Sequence, residues 1–281
     1  MGDNKNKQVK GILYVVATPI GNLEDITLRA ARILGEVDLI AAEDTRVSGK
    51  LLAHLGLKVP FTSYFEHNKY KKGEYIIGEL LSGKNIAMIS DAGMPGISDP
   101  GFELIAAAIA EEIEIIVIPG ACAAVNALVG SGLDSSRFCF EGFLPRDKSR
   151  RRKRLLELAA EQRTMIFYES PHRVQATLAE MTEHFPDRRI SAGRELTKRF
   201  EETVRGTVAE VHEYFSQKKP QGEFVLVLAG AEAAKNPQMS DEALVTALQV
   251  SLSKGLSRKA AAKEVAGEYG ASVNYVYNLG L

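Results

Sequence analysis

The segment GILYVVATPIGNLEDITLRAARILGEVDLIAAE, residues 11–43, places two short apolar runs on either side of a helical pattern. GILYVVAT and VDLIAAE have the length and composition of buried strands, and ITLRAARILG between them has apolar residues at helical spacing. A strand, a helix and a second strand at this spacing predict a βα unit of a mainly parallel sheet covered on both faces. The same alternation continues to about Gly132.

A second alternation follows Gly132 and predicts another α/β domain. Its strand patterns are RFCFEGFLP, TMIFYES, RRISAGREL, TVRGTV and EFVLVLAG, and its helical patterns span 149–161, 171–184 and 207–217. The strand candidates at 189–194 and 202–207 are too close together for a helical crossover, so this sheet is predicted to be mixed.

The predicted fold class is therefore α/β, with two α/β domains and a small C-terminal helical segment. A flexible tail at 1–10 precedes the first domain at 11–132, and the second domain spans 133–232. The C-terminal helical domain at 233–281 follows a linker pattern, AEAAKNPQ, and has three short helical patterns.

Composition excludes several classes of protein. The chain has 281 residues, 45% of them hydrophobic, which suits two domains with a substantial core. No run approaches the roughly 18 apolar residues of a membrane span, and the polar start lacks the apolar stretch of a secretory signal. We therefore expect a cytoplasmic protein. Cys122 and Cys139 form no CxxC pair, so we expect neither a disulfide framework nor a metal site.

Loops rich in small residues follow four predicted strands of the first domain, where an open parallel sheet binds its ligands. They are TPIGN (18–22), AEDTR (42–46), SDAGMPGISDPG (90–101) and PGACAA (119–124). Neither GxGxxG after the first strand nor GxxxxGK[ST] occurs, which argues against a nicotinamide or a Walker-type ATP site.

The third of these loops has two aspartates with different interpretations. Asp99 precedes Pro100, a pair typical of a helix start, so Asp99 is predicted to cap a helix and not to act in catalysis. Asp91 fits a turn or a ligand contact equally well. The pair Ser170-Pro171 predicts another helix start, in the second domain.

It is on these loops that the chain resembles a known family. TPIGNLEDITLRA, AAEDTR, SDAGMPGISDPG, PGACAAVNAL, FCFEGFLP, FYESPHR and GRELTKRFEE occur in the order and spacing of the ribosomal RNA small subunit methyltransferase I group of the tetrapyrrole-methylase superfamily. The resemblance covers about residues 11–230. Two positions depart from the group's pattern: Met94 stands where threonine is expected, and Lys69 stands where an acid is usual.

The resemblance implies a homodimer of two-domain subunits of the tetrapyrrole-methylase type that binds S-adenosylmethionine between the domains. Its implied reaction is methylation of the ribose 2′-oxygen of a cytidine in the decoding region of 16S rRNA, either in the small ribosomal subunit or in free rRNA. The residues that it places at the cofactor are Pro19, Gly21, Asn22, Asp91, Gly93, Met94, Ile97, Cys122, Ala123, Phe167, Tyr168, Leu228 and Ala229.

The chemistry of methyl transfer needs an aligned hydroxyl and a group that favours loss of its proton. Candidates on the predicted cleft side are charged residues of the loops, among which the sequence does not choose. The catalytic candidates are Glu43, Asp44, Arg46, Glu169, Arg194, Glu195 and Lys198, with His172 and Arg173 beside them.

The run RDKSRRRKR, residues 146–154, has seven basic residues in nine positions at the start of a predicted helix. Cations there oppose the helix dipole, so helix stability does not explain them. Taken alone, the run fits a solvated basic face or an anionic partner equally well, and a neighbouring methyltransferase cleft favours contact with RNA. The RNA-binding candidates are Arg146, Lys148, Arg150, Arg151, Arg152, Lys153 and Arg154. The C-terminal helices could form a helix-turn-helix that contacts RNA, but a packing role is equally compatible with their sequence.

Two other functions remain open from the sequence. One is a C-methyltransferase of the same fold that acts on a corrinoid or sirohaem precursor. The basic run argues against it, because a small macrocycle does not need such a stripe. The other is a non-catalytic rRNA-binding assembly factor, which would bind no cofactor.

Overall fold

The structure is a computed structural model, and it describes residues 9–232 and 240–279. Most of the predicted N-terminal tail and of the predicted linker lies outside these ranges. The described residues up to Gly230 form one compact unit, and the described residues from Ala231 onward form a second. In the described ranges we find no helix that is long and apolar enough to cross a membrane.

The first sheet has five parallel strands in the order β3-β2-β4-β1-β5. Its elements are β1 (Ile12–Val16), α1 (Leu28–Glu36), β2 (Leu39–Ala42), α2 (Thr45–His54), β3 (Phe61–Ser63), α3 (Lys69–Leu81), β4 (Ile86–Ile89), α4 (Phe102–Ala110), β5 (Glu114–Ile118) and α5 (Ala123–Ser131), with a short 3-10 helix at Leu23–Asp25. Leu13 and Val15 of β1 pack under α3 and α4, and Val16 packs on the opposite face with α1 and α2. The sheet is thus covered on both faces, as the alternation of strands and helices predicted.

The second sheet is mixed, with the order β6-β7-β10-β8-β9. Its elements are β6 (Phe138–Phe143), α6 (Lys148–Leu158), β7 (Thr164–Glu169), α7 (Val174–His184), β8 (Arg189–Arg194), β9 (Glu202–Thr207), α8 (Val208–Ser216) and β10 (Phe224–Leu228). Strands β6 and β7 are parallel, whereas β10 runs antiparallel to both β7 and β8, and β9 runs antiparallel to β8. The predicted fold class, a mainly parallel sheet followed by a mixed sheet and C-terminal helices, is confirmed.

Helices cover the second sheet on both faces as well. Helices α6, α7 and α8 pack on one face, where Leu155, Leu178 and Phe215 are buried against the strands. On the other face lies α5, whose Ala127 and Leu128 pack against the strands β7 and β10. A helix that follows the first sheet in the chain therefore covers the second sheet.

Residues 240–279 of the C-terminal unit form three helices, α9 (Asp241–Ser253), α10 (Arg258–Tyr269) and α11 (Val273–Asn278). Leu244, Leu248, Val265 and Val276 form its buried centre. Gly270, with φ of 66°, ends α10 in the left-handed conformation that favours glycine at a helix end. The three predicted helical patterns are all present. The predicted domain boundaries at 132 and 232 stay predictions.

Candidate active site

The loops after β1 and β4 are joined directly to each other. The backbone N–H of Thr18 donates to the carbonyl of Gly93 at 2.9 Å, and the N–H of Gly93 donates back to Thr18 at 3.1 Å. The Thr18 hydroxyl also donates to the carbonyl of Ser90 at 3.0 Å. Gly93 has a φ of +85°, a conformation that glycine adopts without strain. The two loops form a fixed floor at the carboxyl ends of the strands.

The loops after β2 and β4 exchange a second pair of hydrogen bonds. The N–H of Asp91 donates to Glu43 at 3.3 Å, and the N–H of Asp44 donates to Asp91 at 3.0 Å. Burial is the main cause that raises the pKa of Glu43 and of Asp91 above their usual ranges. Two carboxyl groups therefore lie side by side at the edge of the floor.

A cavity of about 480 Å³ opens between these loops and the second sheet, within the usual range of about 300–1,000 Å³ for ligand sites. We call it the first cavity. It is lined by Ile20, Glu43, Asp91, Ala92, Gly93, Met94, Ile97, Ser98, Asp99, Cys122, Ala123, Phe143, Tyr168, Glu169, Ser170, Pro171, Leu196, Lys198, Glu223, Phe224 and Val225. Five of these side chains are carboxylates and one is a lysine, so the cavity is strongly acidic.

Asp99 is one of the carboxylates of the first cavity, and its predicted role as a helix cap is wrong. Helix α4 begins at Phe102 with Gly101 in the capping position, because the chain turns sharply at Gly101 with a φ of 152°. The loop residues before that turn are thereby free to face the cavity. Burial, with a smaller contribution from the charge of Glu43, raises the pKa of Asp99 to about 7.

The second sheet contributes the opposite wall. Tyr168, near the end of β7, accepts a hydrogen bond from the N–H of Ala124 at 3.2 Å, which fixes the start of α5 against the strand. Burial raises the pKa of Tyr168 to about 12, so its hydroxyl stays protonated at neutral pH. Phe143 stacks edge-on against Tyr168 with ring centroids 5.7 Å apart. These rings make one side of the cavity aromatic.

Lys198, which follows β8, reaches the loop after β1 and lines the first cavity. Its ammonium donates to Glu195 at 2.8 Å and to Glu223 at 3.0 Å. A Cβ atom on Gly21 would lie 2.4 Å from Cγ of Lys198, so the stem of this lysine packs directly on the glycine backbone. Burial acts to lower the pKa of Lys198, but its two carboxylate partners outweigh burial and raise it. Lys198 is therefore a fixed cation.

A second cavity of about 410 Å³ adjoins the first. Its walls are Thr18, Pro19, Ile20, Gly21, Leu23, Val47, Ser48, Lys50, Leu51, Ser90, Asp91, Ala92, Lys198 and Glu223. The two cavities share a wall that consists of Ile20, Asp91, Ala92, Lys198 and Glu223.

Comparison with known proteins identifies the family. The family model described as Tetrapyrrole (Corrin/Porphyrin) Methylases matches residues 12–212, more than half of the chain. The chain belongs to the tetrapyrrole methylase family. The "Ribosomal RNA small subunit methyltransferase I" of Synechocystis sp. is 48% identical over 273 residues, which cover 96% of this chain and 98% of that protein. The protein of the same name from Halalkalibacterium halodurans is 47% identical over 273 residues, with 96% and 94% covered.

These relatives confirm the resemblance that the seven motifs predicted. Among solved tetrapyrrole methylases, the uroporphyrin-III C-methyltransferase of Thermus thermophilus, complexed with S-adenyl homocysteine, matches with a TM-score of 0.55 and 17% identity. The match covers 78% of this chain and 97% of that one, and it shows a common fold.

Three of the seven catalytic candidates line the cavities of this tetrapyrrole methylase. They are Glu43, Glu169 and Lys198. Glu169 is 2% exposed and accepts hydrogen bonds from the N–H of Ser170 and the hydroxyl of Thr177, at 2.8 and 2.7 Å. One oxygen of Glu169 thus binds the turn before α7 and the other binds the helix itself, which begins at Val174, three residues later than predicted.

The other four catalytic candidates do not line either cavity. Asp44 caps α2 and forms an ion pair with Arg46 at 2.6 Å, which lowers the pKa of Asp44 to about 2. Arg194 pairs with Glu202 at 3.2 Å. Glu195 accepts a hydrogen bond from the ammonium of Lys198, which lines both cavities.

The cofactor candidates divide into three groups. Asp91, Gly93, Met94, Ile97, Cys122, Ala123 and Tyr168 line the first cavity, and Pro19 and Gly21 line the second. Asn22, Phe167, Leu228 and Ala229 line neither. Asn22 accepts from the N–H of Glu24 and caps the 3-10 helix. The ring of Phe167 is buried on the opposite face of the second sheet.

Leu228 and Ala229 lie away from both cavities because β10 runs antiparallel to its neighbours β7 and β8. Leu228 pairs with Met165 and Ile190, near the starts of β7 and β8. The cavity lies at the other end of β10, where Phe224 pairs with Glu169. Sequence reasoning consequently missed Glu223, Phe224 and Val225. The signal that could have found them is the predicted mixed sheet itself, since a reversed strand presents its start where its neighbours end.

The basic run covers the residues just before α6 and its first turns, and one of its residues is buried in an ion pair. Arg151 is buried with Glu180, to which its guanidinium donates two hydrogen bonds at 2.8 and 2.6 Å. Arg154 is half-buried and pairs with Glu141 at 2.7 Å. The exposed cations of the run are Arg146, Lys148, Arg150, Arg152 and Lys153.

The residues of the first cavity fit S-adenosylmethionine. Its sulfonium sulfur carries a positive charge, and the groups attached to that sulfur have both apolar and polar parts. The carboxylates of Glu43, Asp91 and Asp99 supply the opposite charge, and Gly93 adds no side chain to the cavity wall. Among the described residues no group of three or more His, Cys, Asp or Glu side chains is arranged to hold a metal ion.

Proposed function

We propose that this protein transfers a methyl group from S-adenosylmethionine to the ribose 2′-oxygen of a cytidine in the decoding region of 16S rRNA. The observation that carries the proposal is the 48% identity, over nearly the full length of both chains, to a protein named ribosomal RNA small subunit methyltransferase I. The acidic lining of the first cavity supports the proposal of a cationic cofactor, and the exposed cations of α6 support the proposal of an RNA substrate.

The first cavity would hold the cofactor. Met94, Ile97 and Ala123 offer apolar contact on one side, and Tyr168 offers an aromatic wall on the other. The neighbouring carboxylates offset the positive charge of the sulfonium. When bound, S-adenosylmethionine supplies an electrophilic methyl group on a positively charged sulfur.

The chain's own contribution to the reaction is alignment, charge and the removal of a proton. Transfer forms a bond between the ribose oxygen and the methyl carbon as the carbon–sulfur bond breaks, and the sulfur keeps that electron pair. The hydroxyl proton passes to a carboxylate of the shared wall, Asp91 or Glu223, and from there to water. Lys198, held by Glu195 and Glu223, stabilises the negative charge that develops on the oxygen.

The proposed partner is 16S rRNA within the small ribosomal subunit, and the proposed place is the cytoplasm, where that substrate is made. We also propose a homodimer. Its support is a set of exposed apolar side chains, Val117 on the edge strand β5 and Val125 and Val129 on α5, with exposed fractions of 54%, 47% and 75%.

Transfer of radiolabelled methyl groups to small ribosomal subunits, to naked 16S rRNA and to a tetrapyrrole precursor, side by side, tests the proposal. The expected product is an alkali-resistant, 2′-O-methylated dinucleotide from rRNA of the subunit. Label in the tetrapyrrole alone would overturn the proposal in favour of C-methylation. A purified protein that binds no S-adenosylmethionine and transfers no label would instead indicate an assembly factor.

A further inference from the structure

The two adjoining cavities differ in charge. The first cavity is lined by five carboxylate side chains and a single lysine, Lys198. The carboxylates are those of Glu43, Asp91, Asp99, Glu169 and Glu223. A phosphodiester placed there would face several carboxylates at short range, whereas a cation would be attracted. The first cavity is therefore suited to the methyl donor and unsuited to the RNA backbone.

The second cavity has a balanced charge and cations at its rim. Lys50 and Lys198 oppose Asp91 and Glu223 in its lining. Lys50 lies one helical turn after Arg46, on the same side of α2. The Arg46 side chain is 88% exposed but is paired with Asp44 at 2.6 Å, so Lys50 and Lys198 are the cations that a phosphate would meet. A phosphate could approach this rim without meeting the acidic lining of the first cavity.

The inner surface of the second cavity suits a flat group with polar edges. Pro19, Leu23 and Val47 give it apolar walls, and Leu23 and Val47 are 42% and 40% exposed. Ser48 is 2% exposed, and its hydroxyl has no hydrogen-bond partner among the described residues. A buried hydroxyl without a partner destabilises a folded protein, and a ligand that supplies the missing hydrogen bond removes that cost.

We infer that the second cavity receives the methyl-accepting nucleotide, turned out of the RNA strand, while the methyl donor occupies the first. This inference rests on the proposed function. Enzymes that modify a nucleotide within structured nucleic acid commonly turn it out into a pocket. The ribose would then meet the donor at the shared wall, where Lys198 and Asp91 face both cavities. Pro19 and Gly21 thereby contact the acceptor and not the cofactor.

Substitutions that fill one cavity at a time test the inference. Val47→Trp narrows the second cavity from a partly exposed position on α2, and Ile97→Trp narrows the first from a residue that is 40% exposed. Ala53→Trp, at an exposed position of the same helix outside both cavities, is the matched control. The measurements are methylation of small ribosomal subunits that lack this modification and the dissociation constant of S-adenosylmethionine.

We expect Val47→Trp to lower kcat/KM for the subunits by at least about tenfold while the cofactor dissociation constant stays within about twofold. Ile97→Trp should weaken cofactor binding, and Ala53→Trp should change neither quantity. Equal methylation by Val47→Trp and Ala53→Trp, or parallel loss of cofactor binding in Val47→Trp, would overturn the inference. If the unsubstituted protein methylates no rRNA, the proposed function fails first, and the two failures are distinguishable.

Removal of the Ser48 hydroxyl provides a second test that a structural role would not mimic. Ser48→Ala deletes an unpaired buried group, so we expect an unchanged or higher melting temperature together with about three- to tenfold lower kcat/KM for the subunits. An unchanged kcat/KM would contradict a bond between this hydroxyl and the acceptor.

Discussion

Replacement of Asp99 by asparagine should stabilise the cofactor-free protein at neutral and alkaline pH. The pKa of Asp99 is about 7 in the folded protein against a usual value of 3.8, a difference of about 3 units. At about 1.4 kcal/mol per unit this corresponds to roughly 4 kcal/mol at most. Because the side chain is only partly buried, water screens the penalty, and we expect about 2 kcal/mol.

The sign of the effect follows from which state binds the proton. Below pH 3.8 Asp99 is protonated in both states and carries no penalty. As the pH rises towards 7, the unfolded chain releases the proton while the folded protein retains it, so stability falls with pH. An asparagine side chain cannot ionise, and the advantage of the Asp99→Asn variant should therefore grow between about pH 4 and 8.

Thermal unfolding of both proteins across this pH range measures the effect. The variant should melt roughly 4–8 °C above the unsubstituted protein at pH 8 and show a smaller difference at pH 4. Asp134→Asn is the control, because the bonds of Asp134 to Ser136 lower its pKa and its loss should act in the opposite direction. If the difference in melting temperature between Asp99→Asn and the unsubstituted protein does not change with pH, burial does not penalise the charge of Asp99 and the reasoning is refuted.

Three further outcomes are expected. Binding of S-adenosylmethionine at pH 7 should release protons, because a nearby sulfonium favours ionised Asp99. Calorimetry in buffers of different ionisation enthalpy measures the number of protons released, and a binding enthalpy that does not depend on the buffer would contradict the prediction. Replacing Arg150, Arg152 and Lys153 with alanine should weaken rRNA binding and lower the slope of log affinity against log salt concentration by up to about 2. Arg151→Ala should instead leave Glu180 unpaired and lower the free energy of unfolding by about 3 kcal/mol. An equal loss of rRNA affinity in both variants would count against assigning RNA contact to the exposed cations. Gly93→Val should abolish cofactor binding in a folded protein, since φ is +85° and a Cβ would lie 3.3 Å from Ile20, while Gly130→Val, with no atom within 4 Å of its Cβ, should not.

The sequence predicted most strands and helices because their apolar periods are clear. Strand β3 was missed: it has three residues, and its Phe61 is 43% exposed, so no apolar run marks it. Arg151 could have been recognised as buried, since it lies four and seven residues before Leu155 and Leu158, which are buried on the same face of α6.

The site was harder to predict than the fold because it depends on strand direction and on single backbone angles. Phe224 lines the cavity in place of the predicted Leu228 because β10 runs antiparallel to β7. The position of Asp99 at the cavity depends on the turn at Gly101, which moves the start of α4 to Phe102. An Asp-Pro pair is also typical of a helix start, so the sequence does not distinguish the two positions. Neither the direction nor the turn is encoded by apolar spacing.

The position of α5 has a consequence for experiments that divide the chain. A cut after Gly132 separates α5 from the second sheet, although Ala127 and Leu128 are buried against Ile166 and Val225 of that sheet. Each fragment would expose apolar surface when expressed alone, and we expect it to aggregate. Co-expressed fragments could instead reassemble through α5, which would make this junction suitable for a split-protein reporter of folding in cells.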